Sequence, residues 1–279
     1  MSMQTKASFK KELLAFFRTN KFLIIAIVII GWSILSPLLL VGMGALINAM
    51  SPLYDEMGMD VSTMTDILGG SANMAVSSAV TDLAGTGLIV FILLINSFAG
   101  GEQKKRATII PRSSGLRTFS YIFPKFIIYP LAGFALAVIG AFASWGTAVL
   151  AYEINDVSLT GVLVGGALAG VCLMFYTCCH LTMGTATGKA GMSAAVCIVA
   201  ALLLPNIFAA LGSDLVYNPF TLNILAGSVV AEGALGEVQP LDIAMTVAIA
   251  FAIMVIVYFI AIFAQNAKKV DNTGNETRL

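Results

Sequence analysis

The residues of this chain with the greatest chemical potential are its single histidine and two of its four cysteines, which follow one another as Cys178, Cys179 and His180. Imidazole and thiolate groups bind transition metals, and a histidine inside a membrane can also relay protons. Adjacent residues on a helix point in different directions, so these three cannot ligate one ion together. Acid–base catalysis would need partners that a lone histidine lacks. We therefore expect His180 to hydrogen-bond to a neighbouring helix, and we predict no catalytic and no metal site.

The segment 183–190, Met-Gly-Thr-Ala-Thr-Gly-Lys-Ala, is the nearest approach in the chain to a phosphate-binding P-loop. A P-loop begins with Gly, places Ser or Thr directly after its Lys, and follows a β-strand. Met183 and Ala190 occupy the first and last of those positions here, and an apolar segment precedes them. The pattern predicts a turn between two helices. We accordingly expect no nucleotide or other cofactor site and no enzyme activity in this chain.

The composition places the chain in a membrane. Of its 279 residues, 58% are apolar and 11% are charged, whereas soluble domains have about 45–50% apolar and about 25% charged residues. The formal net charge is zero, so the chain offers no global basic field to nucleic acid. These values argue against a typical soluble enzyme, a disordered chain and a nucleic-acid-binding protein.

Six segments are long and apolar enough to cross the membrane, because a crossing helix needs about 20 apolar residues for a hydrocarbon core about 30 Å thick. They predict an all-α polytopic protein with one transmembrane domain over 1–279. The predicted spans are 22–46, 82–100, 122–151, 159–184, 190–212 and 240–265. Three polar residues, Asp82, Asn96 and Ser97, are expected near the ends of the second span.

The basic residues are sorted to one side of these spans. All 15 Lys and Arg residues fall in the N-terminal segment, in the loops after the second and fourth spans, or in the C-terminal tail over 266–279. The loops on the other side carry acidic residues and no basic ones. Because cytoplasmic loops are enriched in Lys and Arg, this pattern predicts a cell-membrane protein with both termini in the cytoplasm.

Two of the segments predicted to be cytoplasmic carry apolar residues as well as basic ones. Within residues 1–21, the apolar residues Phe9, Leu13, Phe16 and Phe17 form one helical stripe beside several lysines, which predicts an amphipathic helix at the inner membrane face. The basic loop over 101–121 also contains apolar residues, and we interpret these as docking contacts for a partner.

This layout resembles the membrane subunits, or permeases, of type-2 ATP-binding-cassette (ABC) exporters. In that family, the loop after the second span typically contains Glu, then Gly-Thr-Ile, Pro, a basic residue and finally Lys at the start of the third span. The corresponding residues here are Glu102, Thr108, Ile109, Pro111, Arg112 or Arg117, and Lys125, with Ala107 where the family usually has Gly. The apolar segment that begins with Asn218-Pro219-Phe220 is also similar to the family.

The resemblance implies that the 101–121 loop is a coupling helix, which binds a separate ATPase subunit that holds ATP and Mg. The implied contact residues are Glu102, Lys105, Arg106, Thr108, Ile109, Arg112 and Arg117. It also implies that two permease subunits pair, as a homodimer or a heterodimer, around a central path within the membrane lipid. ATP-driven motion of the partner would then switch the paired spans between two conformations.

The predicted substrate path is mostly apolar, with polar exceptions in the second and fifth spans at Asn96, Ser97 and Asn206. This favours outward transport of a lipid-like, peptide or amphipathic drug-like molecule. Two alternatives remain open: a stand-alone secondary transporter or channel, and a non-transporting immunity or scaffold protein that binds a partner through the same loop. Ion-coupled transport usually needs paired ionisable groups deep in the spans, and the sequence places none there.

Overall fold

The computed structural model describes residues 3–51, 71–101, 117–152, 157–211, 217–231, 239–270 and 276–278. Six helices in these ranges are long and apolar enough to cross a membrane, as the sequence predicts. In chain order the helices are α1 (Met3–Arg18), α2 (Lys21–Ala49), α3 (Ala72–Gly100), α4 (Thr118–Tyr152), α5 (Leu159–Thr187), α6 (Ala190–Ala210), α7 (Pro219–Ala231) and α8 (Pro240–Asn266). Helices α1 and α7 are the two short ones.

The protein is helical as predicted, with one small exception at its C-terminal end. Strand β1 (Lys268–Val270) pairs antiparallel with β2 (Glu276–Arg278), and this ribbon is the only β-structure in the described ranges. It lies within the segment that the sequence predicts to be a simple tail.

Helix α3 begins earlier than predicted. It starts at Ala72, where the Ser71 side chain accepts a hydrogen bond from the amide of Met74 and caps the helix. The first turns of α3 contain Asn, Ser and Thr. These polar residues interrupt the apolar run, so hydropathy does not predict a membrane helix there. The placement of Asp82 at the end of a span was therefore wrong, because Asp82 lies well inside α3.

The first half of α3 is buried against α7. The Ser77 hydroxyl donates a hydrogen bond to the carbonyl of Gly227, at 2.7 Å, and so joins the two helices. On the other side of α7, a Cβ atom at Gly165 of α5 would lie only 2.8 Å from the carbonyl oxygen of Ala226. The short helix is thus packed between α3 and α5.

Helix α5 forms the centre of the bundle. In its most apolar 18-residue window, 72% of the residues are buried, against 28% in α2, 28% in α6 and 17% in α8. Small residues allow α5 to approach its neighbours closely: a Cβ at Gly166 would lie 2.7 Å from that of Ala141 on α4. Helices α2, α6 and α8 consequently lie at the periphery and expose apolar faces.

The helices alternate in direction, so that one end of the bundle collects the described lysines that belong to the spans. Lys21 at the start of α2 contacts Ser97 at the end of α3, and Lys125 near the start of α4 contacts Phe98. Lys189, between α5 and α6, lines the same cavity as Lys21. We call this the basic end of the bundle.

Candidate functional site

A buried polar cluster occupies the basic end and joins α1 to α4. The side chains of Glu12 and Lys125 are almost fully enclosed, with 2% and 1% exposure, and Lys125 Nζ lies 3.8 Å from Glu12 Oε1. The hydroxyl of Tyr129, one turn further along α4, donates to Glu12 Oε2 at 2.7 Å. We refer to Glu12, Lys125 and Tyr129 as the anchor cluster.

The anchor cluster also holds the end of α3. Lys125 Nζ donates to the carbonyl oxygen of Phe98 at 2.9 Å and to the hydroxyl of Tyr121 at 3.1 Å. The Phe98 ring stacks on that of Tyr129, with ring centroids 4.8 Å apart. Since the last carbonyls of a helix lack partners within it and carry partial negative charge, an ammonium group is a favourable partner for them.

This arrangement connects α1, the end of α3 and the start of α4, the last two of which flank one loop. Residues 102–116 connect α3 to α4, and Lys125 links the end of the first to the start of the second. Glu12 adds α1 to the same unit. Because removing one partner of a buried ion pair typically costs about 3–5 kcal/mol, the three elements are expected to move together.

The buried face of α1 differs from the apolar stripe that the sequence predicts. Phe16 is buried, but Leu13 and Phe17 of the stripe are exposed. Polar Thr5 and Glu12 are buried instead, and Thr5 Oγ1 lies 3.0 Å from Ser120 Oγ on α4. Helix α1 therefore binds the bundle through a mixed face, with polar contacts at its centre.

Most of the predicted partner-contact residues fall in the 101–121 loop outside the described ranges. These are Glu102, Lys105, Arg106, Thr108, Ile109 and Arg112. Arg117 is described, and its side chain is exposed just before α4 begins. The coupling-helix contact stays a prediction, whereas the elements that flank it are in place.

A cavity of about 790 Å³ opens beside the anchor cluster, between the start of α2, the end of α3 and the turn from α5 to α6. Two predicted path residues, Asn96 and Ser97, line it together with Lys21 and Lys189. The Lys21 ammonium group hydrogen-bonds to Ser97 Oγ and lies 4.5 Å from the centroid of the Phe98 ring. The cavity is therefore positively charged. The sequence does not predict this, because Lys21 and Lys189 are far apart in the chain and only the packing of the helices brings them together.

Asn206 does not join this cavity. Its side chain is exposed on α6, and Nδ2 donates to the Leu202 carbonyl of its own helix at 2.7 Å. The prediction that Asn206 lines one path with Asn96 and Ser97 finds no contact in support, because Asn206 lies four turns along α6 from the end that borders the cavity.

Asp82 lies nearer the start of α3, away from the basic end, and is half-buried. Its Oδ2 accepts a hydrogen bond from Trp32 Nε1 of α2 at 3.4 Å, and the Ser36 hydroxyl lies nearby. A π-helical turn, Leu83–Gly87, follows directly. Such turns often occur at functional sites.

The histidine makes the predicted contact, whereas the turn after it is shorter than predicted. His180 Nδ1 lies 2.8 Å from Ser193 Oγ of α6, which confirms the expected interhelical hydrogen bond. Gly188 adopts the left-handed conformation, φ 69°, and ends α5. The turn is shorter than predicted, because residues 183–187 of the P-loop-like segment belong to α5 and Ala190 begins α6. Across the described ranges, no three His, Cys, Asp or Glu side chains are grouped as metal ligands would be.

Comparison of the chain with protein-family models, with curated proteins and with solved structures found no match. The class of this protein is defined by its fold alone. The chain is a helical protein with six helices that could span a membrane, compatible with a multi-pass membrane protein.

Proposed function

We propose that this chain is the membrane subunit of an ATP-driven exporter of the type-2 ABC kind, which moves an amphipathic, peptide, drug-like or lipid-like substrate outward. The anchor cluster is the observation that carries the proposal. It fastens both ends of the 102–116 connection, and α1 with them, through the buried contacts of one lysine. A loop held at both ends in this way can transmit a displacement from a partner ATPase to the spans.

A partner ATPase that pushes on the loop can move the spans only through the ends of that loop. If a partner ATPase displaced a loop with loosely attached ends, the loop would deform and the spans would stay in place. With Lys125 bonded to Phe98 and paired with Glu12, the end of α3, the start of α4 and α1 move as one body. Rigid-body switching of packed helices requires such a connection.

The charge distribution supports a cytoplasmic location for the basic end and for both termini. Lys21, Lys125 and Lys189 lie at that end, which follows the enrichment of Lys and Arg on the inner side of membranes. The exposed Leu13, Leu14 and Phe17 of α1 would then contact lipid at the inner interface of the cell membrane.

The proposal assigns ATP and Mg to a separate ATPase subunit and no enzymatic step to this chain. It also includes a second permease subunit, identical or different. The exposed apolar faces of α2 and α6 have the chemistry to contact either lipid or that subunit, and they border the cavity that would face a central path.

Photo-crosslinking in the native membrane tests the proposal. A photoreactive residue replaces Ile109 in the loop, and a control chain carries the same residue at Leu150, which is exposed at the opposite end of α4. We expect an ATPase to be crosslinked from Ile109 and not from Leu150. If neither position, or both alike, captured an ATPase, the proposed docking would be wrong.

A further inference from the structure

Asp82 lies in the interior of α3, a helix of 29 residues that is long and apolar enough to cross a membrane. It is about 15 Å along α3 from Ala72 and about 22 Å from Ser97 at the basic end, at 1.5 Å per residue. With a hydrocarbon core about 30 Å thick centred on α3, Asp82 lies inside that core. Ionisable groups at such depth are rare and usually mark a substrate or ion pathway.

The neighbours of Asp82 solvate its carboxylate but do not neutralise it. Trp32 Nε1 donates a hydrogen bond, the Ser36 hydroxyl lies nearby, and both groups are uncharged. Within the residues that the structure describes, the salt bridges join Glu12 to Lys11 and to Lys125, and none includes Asp82. The described spans thus supply no countercharge at this level.

The space beside the carboxylate is open. A Cβ atom at Gly85, one turn further along α3, would meet nothing within 4 Å. Thr86, which follows Asp82 by four positions and shares its helix face, is exposed, and Trp32 is 38% exposed. The π-helical turn Leu83–Gly87 widens the helix at this place. A ligand group could therefore reach both the carboxylate and the indole.

We infer that Asp82 and Trp32 form a subsite for the positively charged group of an amphipathic substrate. A carboxylate supplies the countercharge, and the face of an indole is the aromatic surface that attracts cations most strongly. The cavity at the basic end carries Lys21 and Lys189 and would repel the same group. The inference rests on the proposed function for its substrate, but the binding it predicts requires no ATPase.

The experiment measures equilibrium binding of radiolabelled tetraphenylphosphonium, a hydrophobic cation, to the full chain in lipid nanodiscs. Asp82→Asn is the main variant, because it keeps the shape of the side chain and removes the charge. Asp242→Asn is the matched control: this aspartate is in the first turn of α8, away from the subsite, where it accepts from the Tyr217 hydroxyl.

We expect Asp82→Asn to weaken binding by at least about tenfold and Asp242→Asn to leave it unchanged. Trp32→Leu should weaken binding as well, and Trp32→Phe should do so less, because phenylalanine keeps an aromatic face. Gly85→Leu would fill the open space and block binding while keeping the charge. It therefore also serves as the decisive variant if Asp82→Asn fails to fold.

Wild-type affinity in Asp82→Asn, or in Gly85→Leu, would overturn the inference and leave Asp82 as a proton-binding or structural group. Failure of the exporter proposal has a different signature. If no ATPase partner exists but cation binding still depends on Asp82, the subsite stands and belongs to a stand-alone transporter.

Discussion

The hydroxyl of Tyr129 donates a 2.7 Å hydrogen bond to the carboxylate of Glu12 across 117 positions of the chain. Both groups are buried, and Lys125 completes the contact from the same helix as Tyr129. This relationship fixes α1 on the bundle at the place where the basic loop leaves and re-enters it.

Replacing Glu12 by Gln should destabilise the protein, because Lys125 then keeps a buried charge without a counterion. We expect a loss of up to about 3–5 kcal/mol in the free energy of unfolding. Thermal unfolding in detergent, with proteolysis to follow the release of α1, measures it. Lys11→Gln is the control, since Lys11 also pairs with Glu12 but its side chain is 58% exposed.

The double variant Glu12→Gln with Lys125→Met separates this charge effect from general damage to packing. Because it removes both charges, its cost should be smaller than the sum of the two single variants. Strict additivity of the three measurements would show that the ion pair does not couple α1 to α4.

Reversing charge in the loop should uncouple the exporter without unfolding it. We expect Arg106→Glu and Arg112→Glu to abolish the stimulation of ATP hydrolysis by substrate, while the chain keeps its expression level and thermal stability. Lys6→Glu on α1 provides a change of equal charge outside the loop. Substrate-stimulated hydrolysis at the wild-type level in both loop variants would contradict the coupling role.

The His180–Ser193 contact should serve stability and not transport. Ser193 Oγ also donates to the His180 carbonyl at 2.7 Å, so Ser193→Ala removes two buried contacts between α5 and α6. A loss of about 1–3 kcal/mol is expected from the stranded polar groups. Asn206→Ala on the exposed face of α6 should change stability little, and equal losses in both variants would argue against a specific contact.

Close packing at the end of α3 should tolerate no side chain at Gly184. A Cβ there would lie 2.8 Å from that of Ala99, and backbone atoms of Ala99 lie at 3.0 Å. We expect Gly184→Ala to cost about 1–3 kcal/mol. Gly191→Ala, where a Cβ meets nothing within 4 Å, should be neutral or slightly stabilising, and unfolding midpoints of the two variants measure the difference.

The sequence predicted the membrane helices well because their apolar runs are long. It placed the start of α3 incorrectly, since the residues from Ala72 to Asp82 are polar enough to resemble a loop and are buried by packing against α7, α4 and α2. That error concealed Asp82, which becomes a carboxylate in the interior of a membrane-length helix once the helix is extended. Hydropathy along a chain cannot reveal burial that a distant helix provides.

The candidate sites were predictable only in part for a similar reason. Asn96 and Ser97 stood out as polar residues in an apolar helix, and the structure places them on one cavity. Lys125 matched a family pattern, but its partner Glu12 lies on another helix and follows no local spacing rule. Contacts between residues far apart in the chain depend on how the helices pack, which periodicity does not specify.

The most direct test of the central claim is purification of this chain from its native membranes in mild detergent, followed by mass spectrometry of the proteins that accompany it. We predict a soluble ATPase subunit in stoichiometric amount, crosslinked through the loop lysines Lys104 and Lys105. Recovery of the chain with no nucleotide-binding partner, even after crosslinking, would contradict the exporter account.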